Sequence, residues 1–189
     1  MTWDQYFSEL YNTAESKNKR PLMTWDRYFF EICKVVGENS KCYSRKIGAI
    51  IVKDKAIISS GYNGPARGIP DCSIRYSRDE YLKKQLPAVP SGIAIYTCPR
   101  KALGYKSGEG LDICIASHSE ENAIVQAARS GVSTRDATLY VNATPCLRCI
   151  QMCINAGIKE IVTTKIGLYN GQAEFVIKHA DILMREFEL

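Results

Sequence analysis

Two short stretches, 28 positions apart (118 to 146), constrain this chain more than anything else in it: His118-Ser119-Glu120-Glu121-Asn122 and Pro145-Cys146-Leu147-Arg148-Cys149. The first offers one imidazole and, two residues on, a carboxylate. The second offers two sulfurs at the C-x-x-C spacing. His118, Cys146 and Cys149 make a three-ligand zinc set, and three protein ligands leave a fourth position for water, which separates catalytic zinc from closed four-ligand structural zinc. Glu120 remains as a spare acid/base. Any fold of this chain has to bring the two stretches together.

Each stretch reads as the start of a helix. The pattern places His118 and Glu120 in the first turn of one helix, and Cys146 and Cys149 in the first turn of another that opens at Pro145, three residues apart on one face. Backbone N–H groups and the helix dipole at such ends favour thiolate. The competing reading makes the C-x-x-C pair a redox disulfide, which gives His118 and Glu120 nothing to do. Eight cysteines would suit a disulfide framework in a small secreted domain. The N-terminus lacks the basic-then-apolar layout of a signal peptide and no run of eighteen apolar residues exists, so the expectation is a soluble intracellular protein whose cysteines do metal work.

Residues 1–22 contain an oddity. Met1-Thr2-Trp3-Asp4-x-Tyr6-Phe7-x-Glu9 recurs as Met23-Thr24-Trp25-Asp26-x-Tyr28-Phe29-x-Glu31, an offset of 22. The polar, Lys-rich segment between the copies reads as a linker, so residues 1–22 are expected to be an extension and 23–189 a single domain, the one good core that a chain of this length can bury. From Thr24, a candidate N-cap, apolar residues fall at helical spacing to Val36, with Gly37 as a stop. Residues 47–52 and 56–60 predict a hairpin of buried strands, followed by a glycine-rich loop, Gly61-Tyr62-Asn63-Gly64 to Gly68. An insertion at about 73–117 has only a helical hint near Asp79 to Leu86. Regular structure then resumes as a helix from His118 to Arg129, a strand at 137–142, a helix from Pro145 to Gly157, a strand at 161–164, a helix over about 172–179 and a strand near 182–187. This alternation predicts an α/β fold, a three-layer α/β/α sandwich.

The combination H-x-E with P-C-x-x-C is the signature of zinc nucleobase deaminases. With Lys46-Ile47-Gly48-Ala49-Ile50-Ile51, Gly61-Tyr62-Asn63-Gly64, His118-x-Glu120-x-Asn122-Ala123-Ile124 and Ala156-Gly157-Ile158-Lys159, the stretch from Thr24 onward resembles the deoxycytidylate (dCMP) deaminases of the cytidine deaminase superfamily, bacterial and phage type. The resemblance implies a mixed five-stranded sheet with its last strands parallel. It also implies deamination of dCMP to dUMP, which feeds dTMP synthesis, in the cytoplasm of a bacterium or phage-infected host. His118, Cys146 and Cys149 would bind Zn²⁺ and Glu120 would shuttle protons. Ser119 and Glu121 depart from the pattern, since relatives often carry alanine and an apolar residue there.

For the substrate, the resemblance points to Asn63 at the deoxyribose, while Ser44 and Lys46 offer a hydroxyl and a cation for the phosphate, Ser119 borders the base and Tyr169 borders the site. Cys42, Cys72, Cys98 and Cys114 bracket the insertion and are expected to hold a second, structural zinc; buried thiols or a Cys98–Cys114 disulfide are the alternatives. Many relatives are hexamers controlled by dCTP and dTTP with Mg²⁺, for which Gly64 and Arg129 are the candidate effector contacts. Competing readings are a superfamily enzyme acting on dCTP, modified dCMP, free cytidine, guanine or tRNA adenosine, and a non-enzymatic zinc module on nucleic acid. A net charge of +5 is low for the latter, and no stable nucleic-acid partner is expected.

Overall fold

Strand β1 (Gly48–Lys53) is apolar at consecutive positions and serves two cores at once. Side chains alternate across a strand. Ala49 and Ile51 therefore face one core, with Ala123, Leu139, Ile150 and Ile161, while Ile50 and Val52 face another, with Phe29, Cys33, Tyr140 and Phe187. A computed structural model describes residues 2–6, 22–86, 95–106, 108–167 and 171–189.

The main sheet also contains β2 (Ala56–Tyr62), β5 (Thr138–Val141), β6 (Glu160–Thr163) and β7 (Leu183–Glu186), in the order β2-β1-β5-β6-β7. β1 runs antiparallel to both β2 and β5, and β5, β6 and β7 run parallel. Asp54 and Lys55, at φ 50° and 62°, make the turn between β1 and β2, the backbone that a two-residue hairpin requires. Parallel neighbours need crossovers, which α6 (Leu147–Asn155) and α7 (Gly171–His179) supply. The expected mixed sheet with parallel last strands is what forms. The reading of a hairpin of two buried strands holds for β1 alone, because β2 is the sheet edge and only its Ser59 and Gly61 are buried.

Helix α1 (Trp25–Glu38) covers one face; its N-cap Thr24 accepts a hydrogen bond from Arg27 N. A Cβ on Gly48 would lie 2.0 Å from Cys33 O, so α1 and β1 meet backbone to backbone. Helix α5 (Ser119–Arg129) covers the other face with α6 and α7, which completes the three layers.

The insertion is more structured than its sequence suggested. It contains α2 (Cys72–Arg78), α3 (Glu80–Gln85), α4 (Pro99–Ala102) and a 3₁₀ turn at Leu111–Ile113. The Asp71 carboxylate caps α2 through Ser73 N, and Tyr76 and Leu82 are buried. The unanticipated α2 thus has a visible signal, Asp71 ahead of a short amphipathic run. The insertion ends in β4 (Ala116–Ser117), which pairs with β3 (Gly64–Pro65). This two-stranded ladder lays the Asn63 loop beside the entry to His118. Among the described residues no helix is long and apolar enough to cross a membrane.

Candidate metal centre

His118 and Cys146 are N-cap residues, of α5 and α6 respectively, and not first-turn residues as their spacing suggested. Both have extended backbone, at φ −78°, ψ 158° and φ −78°, ψ 165°, so each side chain leaves its helix at the mouth. Cys149 follows one turn into α6 and is fully buried. Both mouths lie at the carboxyl end of β5, where the loop after Val141 is pinned on each side. Asn142 Oδ1 accepts from Gly48 N at 2.9 Å, and Thr163 Oγ1 donates to Ala143 O at 2.8 Å.

The three ligand atoms form a nearly equilateral triangle. His118 Nδ1 is 3.4 Å from each sulfur, and the sulfurs are 3.6 Å apart. Tetrahedral zinc, with bonds of about 2.3 Å to sulfur and 2.0 Å to nitrogen, sets its ligands roughly 3.5–3.8 Å from one another. The triangle fits. Among the described residues it is also the one group of three or more His, Cys, Asp or Glu ligand atoms lying mutually within 4.8 Å. All eight cysteines are free, so neither the C-x-x-C pair nor Cys98 with Cys114 is a disulfide.

The three ligand groups strongly shift one another's protonation. The Cys149 thiol, followed by His118, pulls Cys146 down to about 4 in spite of burial. The same contact, together with burial, pushes Cys149 up. Hydrogen bonding to Cys146 raises His118 to about 9 against the desolvation that would lower it. Glu120 is 4% exposed, and burial pushes its carboxyl up, the usual condition of an enzyme acid/base.

The two departures from the family pattern both have partners. Ser119 Oγ donates to Glu120 Oε2 at 2.8 Å. Glu121 Oε2 accepts from His118 N at 2.9 Å, a capping-box contact that fixes the histidine backbone. Neither bond can be read from spacing alone, although Glu three residues after a helix start is a recognised capping signal.

The remaining candidate residues are more dispersed. Asn63 is buried; its Oδ1 accepts from Ile47 N and its Nδ2 donates to Arg45 O, both at 2.9 Å, leaving one N–H and one lone pair. Ser40 Oγ donates to the Asn63 carbonyl at 2.7 Å, tying the loop to the exit of α1. Ser44 is half-buried, and Lys46 is exposed and pairs with Glu38 at 2.6 Å. Gly64 is buried in β3, Arg129 is exposed at the end of α5, and Tyr169 lies outside the described residues. No three of Cys42, Cys72, Cys98 and Cys114 bring their sulfurs within 4.8 Å of one another. Burial pushes Cys72 up to about 11, with Cys98 and Cys114 close enough to add to the effect.

Comparisons with known proteins agree with this geometry. The family model described as the cytidine and deoxycytidylate deaminase zinc-binding region matches residues 23–165. The deoxycytidylate deaminase of enterobacteria phage T4 is 35% identical over 140 residues, 69% of this chain and 72% of that protein. That of Saccharomyces cerevisiae is 31% identical over 186 residues, 98% of this chain but 45% of that protein. The chain therefore spans less than half the length of this yeast relative. Among solved structures, the dCMP deaminase of cyanophage S-TIM5, in complex with dCMP and dUMP, superposes with a TM-score of 0.57 at 20% identity over 84% of this chain and 93% of that one, a likeness of fold.

Proposed function

Because this chain belongs to the cytidine and deoxycytidylate deaminase family, we propose that it hydrolyses dCMP to dUMP and ammonia. The observation that carries the proposal is the His118–Cys146–Cys149 triangle with the buried Glu120 carboxyl in the same helix mouth. Those three residues would hold zinc. When bound, zinc supplies Lewis acidity that brings the pKa of a water towards neutrality.

Glu120 manages the protons. It takes one from the attacking water and passes it to the ring nitrogen as the water oxygen bonds to carbon 4 of cytosine, then takes the second from the hydroxyl formed there and passes it to the departing amine as the carbon–nitrogen bond breaks and the carbonyl forms. Burial pushes the Glu120 carboxyl up, which makes it a better proton holder than a solvated glutamate. The Asn63 loop would bind the deoxyribose, and Ser44 and Lys46 the phosphate. Relatives named deoxycytidylate deaminases favour dCMP over free cytidine, dCTP or tRNA adenosine.

The same reading makes residues 23–189 one deaminase domain and residues 1–22 an appendage. It assigns a second zinc to Cys42, Cys72, Cys98 and Cys114 and an effector site for dCTP or dTTP near Gly64 and Arg129. It further assigns a hexameric assembly in the cytoplasm. Metal analysis returning one zinc per chain would remove the second zinc. Velocity curves against dCMP that neither triphosphate alters would remove the effector site. The deciding experiment is ammonia release from dCMP, dCTP, deoxycytidine and cytidine side by side. Turnover of dCMP well above the other three is expected, and preference for any of them overturns the assignment.

A further inference from the structure

Ser119 stands between the histidine and the carboxylate of the H-x-E motif, and none of its surface is exposed. A buried hydroxyl requires a partner, and this one donates to Glu120 Oε2 at 2.8 Å. Consecutive side chains on a helix point away from each other and do not ordinarily meet. The contact therefore needs Glu120 to fold back toward Ser119 in the first turn of α5. The backbone beneath has no slack. A Cβ on Gly61 of β2 would lie 2.3 Å from Ser119 O and 2.3 Å from Ala123 N, and Ser59 Oγ donates to Ala123 O at 2.6 Å. The hydroxyl is thus a fixed point on a fixed helix end, pressed against the sheet edge.

We propose that Ser119 is a positioning residue for Glu120, its hydroxyl holding one carboxylate oxygen so that the side chain meets the reacting nucleotide in a single orientation. This rests on Glu120 being the proton shuttle, and gives Ser119 a role different from bordering the base. With no exposed surface, Ser119 acts through Glu120. Alanine at this position would leave the carboxylate to find its orientation anew in each turnover, and small misplacements of a reacting group cost up to about a hundredfold in rate.

The test is Ser119→Ala, which deletes one buried oxygen and adds no bulk. Steady-state kinetics on dCMP should show kcat reduced roughly tenfold, KM within about twofold of the parent and zinc content unchanged. Infrared difference spectra between each protein and its Glu120→Gln counterpart isolate the Glu120 carboxyl band, which should shift when the hydroxyl is removed. Unchanged kcat overturns the proposal, as does a band that stays in place. A raised KM at constant kcat overturns it in favour of direct substrate contact, and loss of zinc overturns it in favour of a role at the metal. Should dCMP not be turned over at all, the reading of the substrate fails while the infrared band still decides whether Ser119 holds Glu120.

Discussion

Asp26 in α1 and Arg185 in β7, 159 residues apart in sequence, form a two-pronged ion pair that ties the first helix of the sheet layer to its last strand. Arg185 Nε also donates to Glu160 Oε1 at 2.7 Å, and Glu188 N donates to Asp26 Oδ2 at 3.0 Å. Burial works to raise the Asp26 carboxyl, but the Arg185 guanidinium and the Glu188 N–H outweigh it and hold the group below the usual carboxylate range. A depressed native pKa stabilises the fold above the unfolded value of about 3.9, and the contribution disappears as pH falls through the native value. Asp26→Asn should cost about 2 kcal/mol at pH 7, less than the roughly 3–5 of a fully buried pair. The difference in urea midpoint between variant and parent should narrow as pH drops from about 5 to 2. An equal gap at pH 3 and pH 7 would count against the linkage.

Gly61→Ala tests the seat of α5, whose mouth carries His118. The added methyl would meet Ser119 O and Ala123 N at 2.3 Å, both backbone atoms that no rotamer change can relieve. The helix must move off β2, and His118 at its mouth must move with it. A loss of about 3 kcal/mol is expected, seen as a melting temperature lower by roughly 6–12 °C, together with weaker zinc retention. A variant that melts like the parent would mean that α5 is not held at this distance.

The carboxylate of Glu121 closes on the backbone of His118, a candidate metal ligand. Its removal in Glu121→Ala leaves His118 N without its side-chain partner, at a cost of about 1 kcal/mol to the helix. Zinc affinity should fall with little change in Glu120 chemistry. Competition against a chromophoric chelator measures the first, and kcat at saturating zinc measures the second. A fall in kcat with affinity intact would reverse the roles assigned to Ser119 and Glu121.

What the sequence disclosed and what it withheld follow from the range of the interactions. His118, Glu120, Cys146 and Cys149 were legible because each pair sits within one turn, and only the meeting of the two turns needed the fold. The crossover helix between β6 and β7 was legible from periodicity. The edge position of β2 was not, since Ala56–Tyr62 carries an apolar pattern like that of β1 and only strand order exposes it. Asn63 illustrates the same limit. Its place in the glycine-rich loop was plain, but the two bonds that lock its amide run to backbone 16 and 18 residues away. The second copy of the N-terminal repeat carries Cys33 and Gly37 at the closest approach to β1.

Separating metal holding from proton transfer is the sharpest test of the site as a whole. Glu120→Gln keeps the shape of the side chain and all three candidate ligands, so zinc content should stay at the parent value. It abolishes the exchange of protons between water, ring nitrogen and leaving amine, and turnover should fall by roughly a thousandfold or more, toward the upper part of what a positioned acid/base contributes. Cys146→Ser makes the opposite cut. It leaves Glu120 in its buried place but removes a corner of the triangle whose sides are 3.4, 3.4 and 3.6 Å, so one zinc per chain and the activity should be lost together. Atomic absorption on both variants beside ammonia release distinguishes the two. Full activity in Glu120→Gln would dismiss Glu120 as the shuttle, and parent-level zinc in Cys146→Ser would dismiss the triangle as the metal site.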